Sequence, residues 1–195
     1  MTDRHDGTSA SPCDLVVVGA SAGGVEVFHK IIQDLPRSFP VPILFITHMN
    51  KDRESFLQQA LNYKTPLKVK KVEHGEAIRA GNIYVCVPGH HVIVKDGCFL
   101  LDNKKGDHRF LPSINATIFS AANIYKEKLI NVILSGMLDD GVNGLLRAYE
   151  VGALTMVQSP EEALYPSMPI EALKRDHPSF VLTANEISDK LKALC

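Results

Sequence analysis

The sequence predicts an α/β domain with a doubly wound, mostly parallel sheet and an antiparallel β insertion, a Rossmann-like arrangement. Two observations predict this class. Short, continuously apolar runs such as LVVVG at 15–19 alternate with amphipathic segments of helical period, which is typical of strand–helix–strand units around a buried parallel sheet. A β-rich stretch at 67–103, divided by Gly and Pro-Gly, interrupts this alternation and predicts the insertion.

The N-terminal part of the chain contains the first strand–helix units. After the run at 15–19, apolar residues between 25 and 35 lie on one helical face, and Pro36 ends this helix. The run at 41–49 predicts a second buried strand, and apolar residues between 56 and 61 predict a second helix. Parallel strands joined in this way need right-handed crossover connections.

The middle of the chain predicts several short antiparallel strands. Within 67–103, the sequence KDG at 95–97 separates two apolar runs and predicts a hairpin turn. We expect these strands to extend one edge of the parallel sheet. A polar loop at 103–109 follows them.

The α/β alternation returns in the C-terminal part. Pro112 predicts the start of a helix, and 129–136 predicts another buried strand. A helix ended by Gly152 comes next. The chain closes with a strand at 153–158 and a helix that begins with a predicted capping box, Thr183 and Glu186.

Composition and charge are those of one globular domain. Of the 195 residues, 45% are hydrophobic and 22% charged, with a net charge of −1, which does not favour nucleic acid or an anionic membrane. The apolar runs are far shorter than the about 20 residues that a membrane span needs. Because residues 1–12 are polar and lack the apolar core of a signal peptide, we expect a cytoplasmic domain at 13–195 after a disordered segment.

The cysteines and histidines do not predict a metal site. The four cysteines lie at 13, 86, 98 and 195 without a CxxC spacing, and the eight histidines show no HExxH spacing. His90 and His91 are adjacent, so on a strand they point to opposite faces. We expect free thiols, no metal and no cofactor.

The glycine-rich turn GASAGG at 19–24 can be compared with the turns of dinucleotide-binding proteins and of P-loop proteins. A dinucleotide-binding turn needs a glycine where this chain has Ser21, and an acidic residue at the end of the second strand, which here ends in Thr47-His48. A P-loop needs Gly-Lys-Ser/Thr, which does not follow. Two interpretations are left for Ser21: it caps the following helix, or it is a nucleophile.

Polar side chains follow three of the predicted parallel strands. Ser21 follows the first strand, His48 the second, and Asp139 and Asp140 the strand at 129–136. The carboxyl ends of parallel strands share one edge of the sheet, so we expect these groups to meet there. A serine activated by an imidazole, which a carboxylate orients, performs acyl transfer. His48 could instead be a packed core residue, and either aspartate could cap the next helix.

The same residues lie in motifs that resemble the catalytic domain of the CheB family, the chemotaxis protein-glutamate methylesterases. The motifs are VVGASAGGVE, ITHM, ILSGMLDDGVNGL and GALTMVQSPEEALYPSMPIEAL, and the resemblance covers the chain from about residue 14 onward. It implies hydrolysis of γ-glutamyl methyl esters on the cytoplasmic helices of chemoreceptors (methyl-accepting chemotaxis proteins), with release of methanol. Deamidation of receptor glutamines is a companion activity of the family.

The resemblance also implies roles for individual residues. Ser21 would be the nucleophile and His48 the general base. Asp140, rather than Asp139, would orient His48, because the family's acid lies three residues after the methionine of its SGM motif. Backbone N–H groups of Ala22 and Met137 would bind the oxyanion.

Two further segments of the family are recognisable and imply substrate contacts. HRFLPSIN resembles the family's His-Arg-Pro-Ser segment and points to Arg109, although residues are inserted between Arg109 and Pro112. Met168 matches the methionine of the family's Met-Pro pair, whereas Ile170 stands where the family commonly has arginine.

Regulation and substrate leave alternatives open. Full-length family members carry an N-terminal receiver domain, for which residues 1–12 are too few, so we expect a receiver supplied elsewhere or a different control. One alternative function is a non-catalytic receptor-binding or regulatory module of the same fold. Another is an esterase or amidase that acts on a different substrate.

Overall fold

The structure is a computed structural model and describes residues 13–50, 54–104, 109–175 and 177–195. The predicted segment 1–12 and most of the polar loop at 103–109 lie outside these ranges. The strands within them are β1 (Leu15–Ala20), β2 (Ile43–Thr47), β3 (Lys68–Lys71), β4 (Glu76–Ala77), β5 (Asn82–Val85), β6 (His91–Lys95), β7 (Cys98–Asp102), β8 (Leu129–Ile133), β9 (Leu154–Gln158) and β10 (Phe180–Leu182). The helices are α1 (Gly24–Gln33), α2 (Leu57–Asn62), α3 (Ile114–Tyr125), α4 (Val142–Glu150), α5 (Ser167–Arg175) and α6 (Ala184–Leu194).

A seven-stranded sheet forms the centre of the domain. Its order is β10-β9-β8-β1-β2-β5-β3, and every neighbouring pair is parallel. From β1 at the centre the chain builds first toward β2 and later, from β8, toward the other edge, so the sheet is doubly wound. The predicted fold class is therefore confirmed, and the carboxyl ends of β1, β2 and β8 lie next to one another.

The antiparallel strands are placed differently from the expectation. β4, β7 and β6 form a separate three-stranded sheet instead of extending the edge of the main sheet, whereas β3 and β5 from the same stretch join the main sheet in parallel. The predicted hairpin is present, with both turn residues, Asp96 and Gly97, at positive φ. The expected edge position is wrong for β4, β6 and β7, whereas β5 and β3 do extend one edge of the main sheet, in parallel. The reason is that side-chain alternation identifies a strand but not its partner.

The small sheet packs against α3 and is joined to it by hydrogen bonds. The Thr117 hydroxyl donates to the Val92 carbonyl at 2.8 Å, and Val94 N–H donates to Ser120 Oγ at 2.9 Å. The backbone N–H of Ser113, just before α3, donates to the buried His91 Nδ1 at 3.0 Å. The small sheet thus supports the start of α3, which lies at the carboxyl edge of the main sheet.

Alternate side chains of β1 enter two separate apolar clusters. Val16 and Val18 pack with residues of α1, α2 and α6 on one face of the sheet. Leu15 and Val17 pack with residues of α3, α4 and α5 on the other face. This is the period of two that a strand buried on both faces requires.

None of the helices in the described ranges combines the length and apolar character of a membrane span.

The structure confirms the predicted start of α6, whereas α3 starts at a different residue from the predicted one. The predicted capping box of α6 is present, because the Thr183 hydroxyl accepts from Glu186 N–H and the Glu186 carboxylate accepts from Thr183 N–H. The third predicted helix begins at Ile114 instead of Pro112, and Ser113 caps it by accepting from Ala116 N–H. A serine cap satisfies an otherwise unpaired N–H group, which proline cannot do.

The helices α3 and α4 approach each other closely at Gly144. A Cβ atom built at Gly144 would lie 2.8 Å from Ile118 Cβ and 3.1 Å from its Cγ2, closer than carbon atoms pack. The absence of a side chain therefore brings the N-terminal ends of both helices together. This proximity places the Asn115 side chain of α3 within hydrogen-bond distance of Gly144 N–H in α4.

We expect Gly144→Ala to destabilise the domain by about 1–3 kcal/mol, because the added methyl group overpacks the α3–α4 contact. Alanine is otherwise the better helix residue by about 1 kcal/mol. The control is Asn143→Ala, which also introduces an alanine into the first turn of α4 but at an exposed position. Urea unfolding of both variants measures the difference, and equal stability of Gly144→Ala and Asn143→Ala would contradict the close contact.

Candidate active site

Ser21 lies in the turn between β1 and α1 and does not cap the helix. The residue at the cap position of α1 is Gly23, with φ 73°, and no side chain caps this end. The Ser21 hydroxyl instead lies 3.0 Å from His48 Nδ1. Its backbone N–H donates to the Ser135 carbonyl at 3.0 Å, which joins the turn to the segment after β8. The capping interpretation of Ser21 is therefore wrong.

His48 connects Ser21 to Asp140 through its two ring nitrogens. Nδ1 faces the Ser21 hydroxyl at 3.0 Å, and Nε2 lies 2.8 Å from Asp140 Oδ2. With an ionised Asp140, Nε2 carries the proton that it donates to the carboxylate, and Nδ1 is then the acceptor for the Ser21 hydroxyl. The Phe110 ring stacks on the imidazole, with centroids 4.1 Å apart and planes 21° apart. The orientation of the imidazole is thus set by a hydrogen bond at each ring nitrogen and by the Phe110 ring on one face.

The Asp140 carboxylate is buried and accepts four hydrogen bonds. It is 5% exposed. Besides His48, it accepts from Ile114 N–H at 2.8 Å, Asn115 N–H at 3.0 Å and the Ser113 hydroxyl at 3.2 Å. Burial raises the pKa of this carboxyl, but the hydrogen bonds from His48, Asn115 and Ile114 outweigh burial, and the pKa lies below its ordinary value. The carboxylate is therefore ionised at neutral pH.

Asp139 has a different environment from Asp140. Its carboxylate is 42% exposed and lies 3.2 Å from Arg175 of α5, outside the chain of Ser21, His48 and Asp140. The cap position of α4 is Gly141, with φ 107° and no capping side chain, so neither aspartate caps the following helix. Asp140 instead binds the free N–H groups at the start of α3.

Asn115 holds the loop that carries Asp140, a role that no motif in the sequence indicates. Its side-chain oxygen accepts from Gly141 N–H at 3.0 Å and from Gly144 N–H at 2.8 Å. Asp140, in the loop before α4, therefore binds the start of α3, while Asn115 of α3 binds the start of α4. This exchange joins two segments far apart in the chain, so no local pattern predicts it.

Ser135 performs a similar task for the nucleophile turn, and no motif in the sequence indicates this role either. Its hydroxyl donates to the Ala22 carbonyl at 2.9 Å and accepts from Tyr165 N–H at 3.0 Å. Its backbone N–H donates to the buried Gln158 side chain at 2.8 Å. Ser135 thus links the turn, the end of β8 and the segment before α5.

The remaining predicted residues surround this group. No acceptor in the described part of the chain binds the backbone N–H of Ala22 or Met137. The Arg109 guanidinium lies over the Phe110 ring, 5.3 Å from its centroid, so it borders the site. Met168 is fully buried, and its thioether packs against Gly136 beneath the turn. Substrate contacts of Arg109 and Met168 stay predictions.

No group of three or more His, Cys, Asp or Glu side chains that could hold a metal ion occurs within 13–50, 54–104, 109–175 and 177–195. The cysteines at 13, 86, 98 and 195 are not joined in disulfides. What the site offers chemically is a hydroxyl, an imidazole and an ionised carboxylate in one chain of hydrogen bonds.

Comparison with known proteins identifies the family of the chain. Residues 16–191 match the family model described as CheB methylesterase. The chain belongs to the CheB methylesterase family. The crystal structure of the Thermotoga maritima CheB methylesterase catalytic domain is similar, with a TM-score of 0.88 and 32% identity, and the match covers 94% of this chain and 99% of that one.

CheB relatives differ in how much of their length this chain spans. A Leptospira interrogans relative is 32% identical over 177 residues, which are 90% of this chain and 92% of the relative. The Thermotoga maritima protein-glutamate methylesterase/protein-glutamine glutaminase is 33% identical over 181 residues, 91% of this chain but 53% of that protein. The chain thus spans nearly all of the first relative and about half of the second.

The lowered pKa of Asp140 predicts how stability depends on pH. A carboxyl whose pKa is lower in the folded state stabilises that state above its unfolded pKa, and this contribution is lost as the pH falls toward the folded pKa. Below the ordinary value of 3.8, the free energy of unfolding should therefore fall more steeply for the wild type than for Asp140→Asn. Urea unfolding between about pH 5 and pH 2 measures both slopes. Equal slopes for Asp140→Asn and the wild type would contradict the assignment.

Truncation of Asn115 should destabilise the domain. We expect Asn115→Ala to lower the free energy of unfolding by about 1–3 kcal/mol, because two N–H groups at the start of α4 lose their acceptor. Asn123→Ala is the control, since Asn123 also joins α3 to α4, through Arg147, but at an exposed position. That variant should stay within about 0.5 kcal/mol of the wild type in urea unfolding. Equal losses in both variants would speak against a special role of Asn115.

Proposed function

We propose that the chain hydrolyses γ-glutamyl methyl esters of a polypeptide substrate and releases methanol, with Ser21 as nucleophile. The observation that carries this proposal is the continuous hydrogen-bond chain from the Ser21 hydroxyl through His48 to the buried Asp140 carboxylate. The chain lies at the carboxyl edge of a parallel sheet, where α/β proteins bind their ligands. Membership of the CheB methylesterase family gives the substrate class.

Acylation begins with attack of Ser21 Oγ on the carbonyl carbon of the ester. As the C–O bond forms, the hydroxyl proton passes to His48 Nδ1, and the resulting imidazolium is stabilised by Asp140 at Nε2. The tetrahedral intermediate collapses, the bond to the methoxy oxygen breaks, and the His48 proton moves to that oxygen. Methanol leaves, and the glutamyl group is esterified to Ser21.

Deacylation repeats these steps with water. His48 Nδ1 removes a proton from a water molecule as the water oxygen attacks the glutamyl ester of Ser21. Collapse of the second intermediate breaks the bond to Ser21 Oγ, which takes the proton back from His48. A free glutamate γ-carboxylate leaves, and the site returns to its starting state.

Backbone N–H groups of Ala22 and Met137 are the proposed donors to the oxyanion. Both belong to loops that flank the nucleophile, and neither donates to an acceptor in the described residues. The turn also precedes α1, whose N-terminal end carries a partial positive charge. Fixed donors of this kind stabilise the negative oxygen more than they stabilise the neutral ester.

The same residues can perform deamidation of a glutamine side chain. Amide nitrogen is a poorer leaving group than a methoxy oxygen, so the step depends on the proton that His48 donates to it. Several relatives, such as the one from Thermotoga maritima, are named protein-glutamine glutaminase as well as methylesterase. We propose esterase activity first and deamidation as a companion reaction.

The proposed substrate is a glutamyl side chain on the cytoplasmic helices of chemoreceptors, and the proposed location is the cytoplasm. Membership of a chemotaxis enzyme family supports both. Control by a receiver domain from elsewhere stays a proposal. The rival function, a non-catalytic module of the same fold, would have no need for a Ser21 hydroxyl that faces His48 Nδ1.

Substitution of the three residues should abolish turnover. We expect Ser21→Ala, His48→Ala and Asp140→Asn to lower kcat by about 10⁴-fold, because each removes a group of the proton-transfer chain. Methanol release from a methylated receptor fragment measures the effect. Asp139→Asn is the matched control and should retain activity within a few-fold of the wild type.

Covalent labelling separates the enzyme from the non-catalytic module. A fluorophosphonate probe should form one adduct per chain at Ser21 in the wild type and none in Ser21→Ala, as mass spectrometry would show. Receptor binding without labelling would favour the module. Equal methanol release by the wild type and Ser21→Ala would eliminate the esterase.

A further inference from the structure

Large apolar side chains are exposed on the segments that flank the nucleophile turn. The fractions exposed are 54% for Met137, 41% for Leu138, 73% for Leu164, 41% for Tyr165 and 37% for Ile170.

A groove of about 430 Å³ runs between the loop after β8 and α5, and we call it the β8–α5 groove. Its apolar lining is Met137, Tyr165, Pro166 and Ile170, and Glu171 and Lys174 border it. Contiguous exposed apolar surface of this kind marks binding sites more often than it occurs by chance.

The groove is attached to the nucleophile turn. Gly136 N–H donates to the Tyr165 carbonyl at 2.9 Å, which joins the two walls of the groove. A Cβ atom at Gly136 would lie 2.9 Å from Ser21 Cβ, and one at Gly23 would lie 3.1 Å from the Tyr165 ring. The walls therefore lie at a fixed position beside Ser21, and a polypeptide that places an ester on Ser21 has its neighbouring residues next to the groove.

The charged groups at the border of the groove already have partners. Lys174 Nζ lies 2.8 Å from Glu171, and Arg175 lies 3.2 Å from Asp139 and 3.6 Å from Glu171. The two charged residues that line the groove in the described part of the chain, Glu171 and Lys174, therefore compensate each other. What the groove can select is therefore apolar surface, which it removes from water.

We propose that the β8–α5 groove binds one large apolar side chain of the polypeptide substrate, about one helical turn from the esterified glutamate. The proposal rests on the proposed function. On a helix, residues three or four apart lie on the same face with Cβ atoms about 5–6 Å apart, so one of them can enter the groove while the ester reaches Ser21. Ile170 would then determine substrate specificity without contacting the reacting atoms.

Synthetic helical peptides test this proposal. Each peptide carries one glutamate γ-methyl ester in an alanine-rich background, with a single leucine at position −4, −3, +3 or +4 relative to the ester, or with none. We expect leucine at one of these positions to raise kcat/KM about tenfold over the alanine peptide, as burial of a side chain of this size allows. Ile170→Asn should remove that gain, so that its leucine and alanine peptides react alike.

Two controls separate recognition from chemistry. Val181→Asn replaces an apolar residue on β10 that is 45% exposed and lies outside the groove, and it should keep the tenfold preference. N-acetylglutamate γ-methyl ester has no neighbouring residue to place in the groove and gives the reference rate for each variant.

The outcomes distinguish the two proposals. Hydrolysis of all peptides at one rate by the wild type, or an equal loss for leucine and alanine peptides in Ile170→Asn, would overturn the groove and leave the esterase intact. Failure of the wild type to hydrolyse the small ester and every peptide would overturn the proposed hydrolase, and the groove with it.

Discussion

The buried carboxylate of Asp140 is the group on which the geometry of the site depends. An ionised carboxylate at this depth is stable only if its oxygens are hydrogen-bonded, and four donors supply those bonds. Three donors come from residues 113–115 and the fourth is His48. The requirement to satisfy one charge therefore fixes the start of α3, the loop after β8 and the imidazole relative to one another. An isolated Ser–His contact would lack this support.

Stability and the proposed chemistry share the same interactions in this domain. Asp140 binds N–H groups at the start of α3, and Asn115 of α3 binds N–H groups at the start of α4. Gly144 permits the close approach that makes both possible. Because each helix end is satisfied by the other segment, a change that separates α3 from α4 would unpair backbone groups and displace the carboxylate together. The carboxylate that orients His48 is thus also part of the packing of the domain.

The nucleophile has its own support, on the opposite side of His48. Ser135 joins the Ser21–Ala22 turn to Tyr165, and Tyr165 also lines the β8–α5 groove. The proposed reaction and the proposed recognition of a neighbouring substrate residue therefore use one rigid segment. Phe110, stacked on the imidazole, closes the other side. A substrate that bound well in the groove would hold its ester at a constant position relative to Ser21, which is how binding at a distance assists a reaction.

The sequence by itself determined which segments are buried strands, because each is a continuous apolar run. It also determined that Ser21 and His48 lie at the same edge of the sheet, because each directly follows one of these strands. These are local patterns, because burial on both faces requires a continuous apolar run and parallel strands share one carboxyl edge. The residues alone left Asp139 and Asp140 as equals, and the resemblance to the CheB family favoured Asp140. Only the tertiary structure decided that Asp140 is buried, that Asn115 and the Ser135 hydroxyl hold the loops, and that the antiparallel strands form a sheet of their own. Hydrogen-bond and strand partners distant in the chain are chosen by packing of the whole domain, and no local spacing records them.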